Sequence, residues 1–143
     1  MSDARGNVAN GGGAEAQPER LHVLVVDDDA SVRGTIADVL RLHDLAVSVA
    51  ANGAMALRRL SAEPRPDVVL LDLRMPVMDG EHFVVAQRQL PELAAIPVVL
   101  HTGDHDEPAI GRLGLPHVLR KPCSLAELLA TLRLAVAHAR SGG

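Results

Sequence analysis

The chain has 143 residues, of which 48% are apolar, and a formal net charge of −4. This size suits one domain with a full hydrophobic core. The arginines are spread along the chain without a basic cluster, and Phe83 is the only residue among Phe, Trp and Tyr, which together argue against a nucleic-acid surface. A single cysteine, Cys123, excludes an internal disulfide and any site built from several thiolates of one chain.

The first twenty residues are rich in Gly, Ala, Asn, Ser and Gln and carry almost no large apolar side chain. They predict a disordered N-terminal tail over residues 1–20, before a folded domain at 21–140 and a short C-terminal tail at 141–143. The tail lacks the apolar region of a secretion signal, and no apolar run is long enough to span a bilayer. We therefore expect a cytoplasmic protein with no membrane partner.

Short apolar runs alternate with segments of helical periodicity, which is typical of repeated βα units around a parallel sheet. The first strand precedes three aspartates, the third delivers Asp72 to its end, and the fourth ends in a hydroxyl. The fifth strand leads into a Lys-Pro pair. The predicted strands are, in chain order, 21–26, 45–50, 67–71, 97–102 and 117–120.

Five helices are predicted between and after these strands. The first follows Asp29, the second is capped by Asn52, and the third begins near Gly80. The fourth, at 106–113, is short and contains a glycine, whereas the last begins at a capping box formed by Ser124 and Glu127. The apolar positions expected on these helices are Val32, Ile36, Val39, Leu40, Met55, Leu57, Leu60, Phe83, Val84, Leu90, Leu125, Leu128, Leu129, Leu132 and Val136.

Parallel strands that lie side by side bring their carboxyl ends, and the residues that follow, to one edge of the sheet. The resulting pocket would hold three carboxylates, one hydroxyl and one ammonium: Asp27, Asp28, Asp72, Thr102 and Lys121. Asp72 needs no general base, because a carboxyl with a pKa near 3.9 is already ionised at neutral pH. This combination suits the acceptance of a phosphoryl group.

Repulsion among the three carboxylates predicts a divalent cation in this pocket. Mg²⁺ prefers oxygen ligands and takes one or two carboxylates together with water and phosphate oxygen. We predict Asp28 and Asp72 as direct ligands and Asp27 as a ligand through water. The alternative for this acidic run is helix capping, which we favour for Asp29.

Lys121 is the only lysine among fourteen basic Lys and Arg residues. A composition that favours arginine so strongly would readily supply another arginine on a solvated face. The lysine therefore indicates that a compact point charge is required here.

Four motifs follow one another along the chain: Val25-Val26-Asp27-Asp28, Asp72-Leu-Arg-Met-Pro-Val-Met-Asp-Gly80, Thr102-Gly103 and Lys121-Pro122. With them, the stretch from about Leu21 to Arg140 resembles the receiver domain of two-component response regulators, of the single-domain type. The resemblance implies a doubly wound, flavodoxin-like (βα)₅ sheet of strand order 2-1-3-4-5. It also implies that Asp72 is the phosphoacceptor.

The same resemblance implies further roles in the site. The backbone carbonyl of Arg74 would be a third ligand of Mg²⁺, the Thr102 hydroxyl would donate to the phosphoryl group, and the Lys121–Pro122 peptide would be cis. The donor would be a histidine kinase or a histidine phosphotransfer protein. The chain would then signal to a downstream protein as a monomer or a weak phosphorylation-dependent dimer, without acting as an enzyme.

Two departures from the family pattern concern how the signal leaves the domain. The stretch from Thr102 to Lys121 is a few residues short, and Val118 stands where receivers commonly place Tyr or Phe. Two other functions remain open. An aspartyl-phosphate enzyme would usually carry a second acid at position 74, and a phosphorylation-independent docking module would be expected to lack a site residue. Whether the chain acts alone, as a relay intermediate or within a larger protein also stays open.

One possible second metal site has a simpler explanation. His101 and His105 lie four residues apart, but the intervening Thr-Gly-Asp indicates a loop, so a site built on this pair is disfavoured. Cys123 is expected to pack as a small hydrophobe.

Overall fold

The computed structural model describes residues 20–75, 77–103 and 105–142. The N-terminal tail expected at residues 1–20 therefore lies outside the described residues, apart from Arg20. The elements are β1 (His22–Val26), α1 (Ala30–Leu42), β2 (Ala46–Ala50), α2 (Gly53–Leu60), β3 (Val68–Leu71), α3 (Gly80–Arg88), α4 (Pro91–Ala94), β4 (Val98–Thr102), α5 (Glu107–Leu113), β5 (Val118–Arg120) and α6 (Leu125–Ser141).

The five strands form one parallel sheet in the order β2-β1-β3-β4-β5, as predicted. The register aligns the carboxyl ends of the strands. Val26 at the end of β1 pairs with Leu71 at the end of β3, and Thr102 at the end of β4 pairs with Arg120. Residues that follow these positions consequently meet at the side of the sheet where the strands end, here called the carboxyl edge. The side where the strands begin is called the amino edge.

Both faces of the sheet are covered, so its central strand is apolar throughout. All four residues of β3 are buried, and successive side chains point to opposite faces. Leu71 packs in the same layer as Phe83 of α3, whereas Leu70 packs with Leu40 of α1 and Leu132 of α6. The site at the carboxyl edge is thus built on a rigid, fully buried strand.

The predicted helix caps are confirmed. Oδ1 of Asp29 accepts from the backbone N–H groups of Ser31 and Val32, so this aspartate caps α1. Asn52 caps α2 in the same way, and Ser124 with Glu127 forms the capping box of α6. Each cap satisfies backbone donors that the first turn of a helix cannot pair internally.

The number of helices differs from the prediction, because the described residues contain six. Pro91 starts an additional turn, α4, whose Leu93 is buried, and Leu90 caps this turn with 41% of its surface exposed. Leu90 was therefore wrongly expected on the buried face of α3. Met55 is also 41% exposed, whereas Ala56 next to it is buried together with Gly53 and the predicted Leu60.

The short fourth predicted helix does form, as α5. It ends at Gly114, whose φ of 60° is a left-handed conformation that glycine adopts without steric cost. Within the described residues, no helix combines the length and the apolar character that crossing a bilayer requires.

Candidate functional site

Three carboxylates meet at the carboxyl edge. Asp27 and Asp28 follow β1, Asp72 follows β3, and one oxygen of each lies within 4.8 Å of the others. Asp27 is buried, Asp72 is half-buried and Asp28 is exposed. The cluster thus runs from the interior to the surface, with Asp28 on the solvent side.

Lys121 supplies the positive charge of this cluster. Its Nζ lies 2.8 Å from Oδ2 of Asp27 and 3.7 Å from Oδ2 of Asp72. The backbone N–H of Lys121 donates to the carbonyl of Thr102 at 3.0 Å, so the end of β4 positions the lysine. The Lys121–Pro122 peptide is cis, as the family resemblance implied.

Asp27 is held in place by several hydrogen bonds. Its Oδ1 accepts from the backbone N–H of Asp29 at 2.9 Å, and its Oδ2 accepts from Lys121. The Arg33 guanidinium donates to its backbone carbonyl at 2.8 Å. Both side-chain oxygens of Asp27 therefore take part in the hydrogen-bond network of the site, and its role as a ligand through water stays a prediction.

Asp72 experiences competing influences. Burial raises the pKa of its carboxyl above the ordinary value, and the negative charge of Asp27 adds to that effect. The Lys121 ammonium acts against it and lowers the pKa, as do hydrogen bonds from the Thr102 side chain and from the backbone of Leu73, whose N–H lies 2.8 Å from Oδ1. The site therefore disfavours the ionised form of Asp72, and added positive charge would relieve this.

Gly80 allows α3 to approach the site closely. Its N–H donates to the Leu73 carbonyl at 2.8 Å, and a Cβ at this position would lie 2.7 Å from the Asp72 carbonyl oxygen. Any other residue would push α3 away from the backbone that carries Asp72. Sequence reasoning treated Gly80 as the start of a helix and missed this packing role.

Asp79 is a second residue whose position the sequence did not reveal. It caps α3 through the backbone N–H of His82 and, with Asp28, Arg74 and Met75, lines an open cleft of about 300 Å³ beside the carboxylate cluster. Hydrogen bonds to His82 lower the pKa of Asp79 against the opposing effect of burial, which is the largest single influence. The cleft leaves the solvent side of the carboxylate cluster open.

Arg74 forms an ion pair with Asp106, the residue that caps α5. This contact links the loop after Asp72 to the helix after Thr102 and borders the cleft. The role of the Arg74 carbonyl as a metal ligand stays a prediction. Val118 is half-buried and packs against the apolar layer that contains Ile110 of α5.

His101 and His105, the pair on which a metal site was disfavoured, lie in different environments. His101 is 8% exposed, with Nε2 at 3.6 Å from Sγ of Cys123, while His105 is exposed before α5. Burial, with a smaller effect of Lys121, lowers the pKa of His101 to about 4. Among the described residues, the three aspartates are the only group of three or more His, Cys, Asp or Glu able to hold one ion.

A family model for the response regulator receiver domain matches residues 23–133. The transcriptional regulatory protein PrrA of Mycobacterium leprae is 40% identical over 112 residues, which cover 78% of this chain and 48% of that protein. The regulatory protein VirG of Agrobacterium tumefaciens is 34% identical over 119 residues, covering 80% of this chain and 43% of that protein. The chain thus spans about half the length, or less, of these curated relatives.

Solved structures of the same fold agree with this match. The chemotaxis response regulator CheY4 of Vibrio cholerae superposes with a TM-score of 0.72 at 31% identity. The alignment covers 82% of this chain and 99% of the CheY4 chain. A putative response regulator from Chloroflexus aurantiacus gives a TM-score of 0.75 at 30% identity, with 83% and 99% covered.

Proposed function

The chain belongs to the response regulator receiver domain family, and on that premise we propose that Asp72 is its phosphoacceptor in two-component signalling. One observation carries the proposal. Asp72 lies at the carboxyl edge with two further carboxylates, whose oxygens are within 4.8 Å of one of its own. The ammonium of Lys121, the only lysine of the chain, is 3.7 Å from its Oδ2. This is the arrangement that a phosphoryl acceptor needs.

The transfer is a displacement at phosphorus. A carboxylate oxygen of Asp72 attacks the phosphorus of a phosphohistidine on a histidine kinase or a histidine phosphotransfer protein. The new P–O bond forms as the P–N bond breaks, and the electron pair of the broken bond returns to the donor imidazole. Asp72 thereby becomes an acyl phosphate, and its buried strand holds it in place during the attack.

The donor set of the pocket fits Mg²⁺. Three carboxylates with one oxygen each inside 4.8 Å form a hard, oxygen-only group. Asp28 and Asp72 would hold the ion directly, Asp27 through water, and the Arg74 carbonyl would complete the protein ligands. When bound, the ion supplies positive charge that offsets repulsion between the carboxylates and the phosphoryl group.

Lys121 and Thr102 are proposed to stabilise the phosphoryl oxygens. The Lys121 ammonium is 3.7 Å from Oδ2 of Asp72 and would pair with an oxygen of the transferred group. Thr102 is 1% exposed and already contacts the Asp72 side chain, so a small movement of β4 brings its hydroxyl to the same group. These residues act on a group that the domain itself carries, which supports a signalling role over that of an enzyme with a separate substrate.

The proposed partners are a phosphoryl donor and a downstream protein that reads the modified surface. One relative, the sensor histidine kinase TmoS, is 37% identical over 126 residues that make up only 13% of its length. We propose a cytoplasmic domain that is a monomer or a weak, phosphorylation-dependent dimer. Arg74, Arg112 and Arg120 pair with acidic side chains, which supports a domain that does not itself bind nucleic acid.

The test compares two aspartates at opposite ends of β3. The full chain is incubated with acetyl phosphate and Mg²⁺ and analysed by intact mass and on a phosphate-affinity gel. Wild type and the control Asp67→Asn should acquire a base-labile phosphoryl group, whereas Asp72→Asn should not. Labelling of Asp72→Asn to the wild-type level would overturn the assignment.

A further inference from the structure

Two imidazoles face each other at the amino edge of the sheet, far along the strands from Asp72. His117 immediately precedes β5, and His138 lies near the end of α6. Nδ1 of His138 is 3.3 Å from Nε2 of His117, whereas the ring centroids are 5.2 Å apart. The ring planes are inclined by 28° to each other, and these two nitrogen atoms lie much closer together than the ring centres.

The nitrogen separation suits a shared metal ion. Two Zn–N bonds of about 2.0–2.1 Å at a tetrahedral angle place their nitrogens roughly 3.3 Å apart. A direct hydrogen bond from a ring N–H is most often shorter, at about 2.9–3.0 Å. We propose that His117 and His138 together bind one divalent transition-metal ion of the kind that imidazole prefers, with Zn²⁺ as the probe.

The surroundings leave space for the rest of the coordination shell. His117 and His138 line a cavity of about 290 Å³ whose other walls include Ile96, Leu115 and Pro116. A tetrahedral ion with two protein ligands needs two further ligands, which water in this cavity supplies. Gln87 also lines this cavity, and its side-chain nitrogen donates to the backbone carbonyls of Leu93 and Ile96.

The two edges of the sheet would then select different ions. Nitrogen donors favour Zn²⁺, Cu²⁺ or Ni²⁺, whereas the carboxylate cluster at the opposite edge favours Mg²⁺. An ion on His117 and His138 ties the end of α6 to the start of β5, the strand that precedes it in the chain. This site is independent of phosphorylation.

The experiment is a calorimetric titration of Zn²⁺ into the full chain without a polyhistidine tag, with Mg²⁺ in excess. Wild type should bind one Zn²⁺ per chain at this pair. His117→Ala and His138→Ala should each weaken binding by at least about tenfold, since a single imidazole remains. His43→Ala, which removes an exposed imidazole at the end of α1, should bind as wild type does.

Two further variants separate this site from its competitors. Asp28→Asn tests the carboxylate cluster, and Cys123→Ser tests the contact between His101 and Cys123. Both variants should retain Zn²⁺ binding. The proposal would be overturned if either variant lost Zn²⁺ binding while His138→Ala bound Zn²⁺ as the wild type does.

A separate readout guards against unfolding of His117→Ala. In the wild type, the imidazole NMR signals of His117 and His138 should be the ones, among seven histidines, that shift as Zn²⁺ is added. The exposed His138 can be replaced without opening the core, and His138→Ala should still be phosphorylated with acetyl phosphate. Zn²⁺ binding at wild-type strength in a folded His138→Ala would contradict the inference.

Discussion

The two edges of the sheet treat their acidic residues in opposite ways. At the amino edge, Asp67 accepts from the backbone N–H of His22 at 2.8 Å and lies 3.5 Å from the Arg140 guanidinium. At the carboxyl edge, Asp27 and Asp72 share the single ammonium of Lys121, Asp28 lies beside them, and burial raises the pKa of Asp72. The amino edge thus uses its aspartate to stabilise the fold, while the carboxyl edge keeps an excess of negative charge that a bound cation would relieve.

The largest effect should come from Lys121, because Asp27 is 3% exposed and depends on it. Lys121→Met should lower the free energy of unfolding by about 3–5 kcal/mol, since a buried carboxylate loses its partner. Urea unfolding followed by circular dichroism measures this, as the chain contains no Trp or Tyr.

The matched control is Arg140→Met at the amino edge. Arg140 is exposed at 69% and pairs with Asp67, so its replacement should cost only about 0–1 kcal/mol. If Lys121→Met and Arg140→Met lower the free energy of unfolding equally, the ion pair at the carboxyl edge contributes no more to stability than the exposed pair at the amino edge.

A smaller effect is expected for Asp67. Asp67→Ala should cost about 1.5–3 kcal/mol, because the backbone N–H of His22 loses a charged acceptor. Asp67→Asn keeps an oxygen acceptor at that position and should lose clearly less. If Asp67→Ala and Asp67→Asn lower the urea midpoint by the same amount, then the charge of Asp67, and not its hydrogen bond to His22, stabilises this edge.

The smallest change in the free energy of unfolding is expected for Asp72, and it should be a gain where the other variants show a loss. Asp72→Asn should raise the free energy of unfolding at neutral pH by about 0.5–2 kcal/mol, because functional sites commonly trade stability for activity. The pKa of Asp72 is raised in the folded state, so the wild type loses stability as the pH rises from the ordinary aspartate range, near 3.9, through the raised value. The gain of the asparagine variant should therefore be absent at lower pH and complete above that range.

The same measurement in excess Mg²⁺ sharpens the comparison. A cation held by the carboxylates stabilises the folded wild type and should reduce or reverse the advantage of Asp72→Asn. A wild type more stable than Asp72→Asn at neutral pH without Mg²⁺ would refute the view that this edge carries unfavourable charge.

Local patterns predicted several features because their causes are local. The caps at Asp29 and Asn52 and the capping box at Ser124 depend on residues within three positions, and all three are present. The extra turn α4 was missed because a four-residue helix begun by Pro91 has no periodicity to detect. Leu90 was assigned to the wrong surface for the same reason.

Other features depend on contacts between distant parts of the chain. The ion pair of Arg74 with Asp106 joins residues 32 positions apart, and the bond of Lys121 to Asp27 joins residues 94 apart. The facing of His117 and His138 similarly requires β5 and α6 to be in place. No spacing within the sequence shows which of several arginines or histidines will meet a given partner.

The sequence by itself determined the βα alternation, the parallel sheet and the identity of the residues at the strand ends, because hydrophobic period and strand length are local properties. It also determined that Asp27, Asp28, Asp72, Thr102 and Lys121 share one edge, since parallel strands align their carboxyl ends. Only the tertiary structure decided which carboxylate the lysine contacts, which aspartate is buried, and that Gly80 must lie against the Asp72 backbone. Distances, burial and the resulting pKa shifts arise from packing between elements, and no local pattern encodes them.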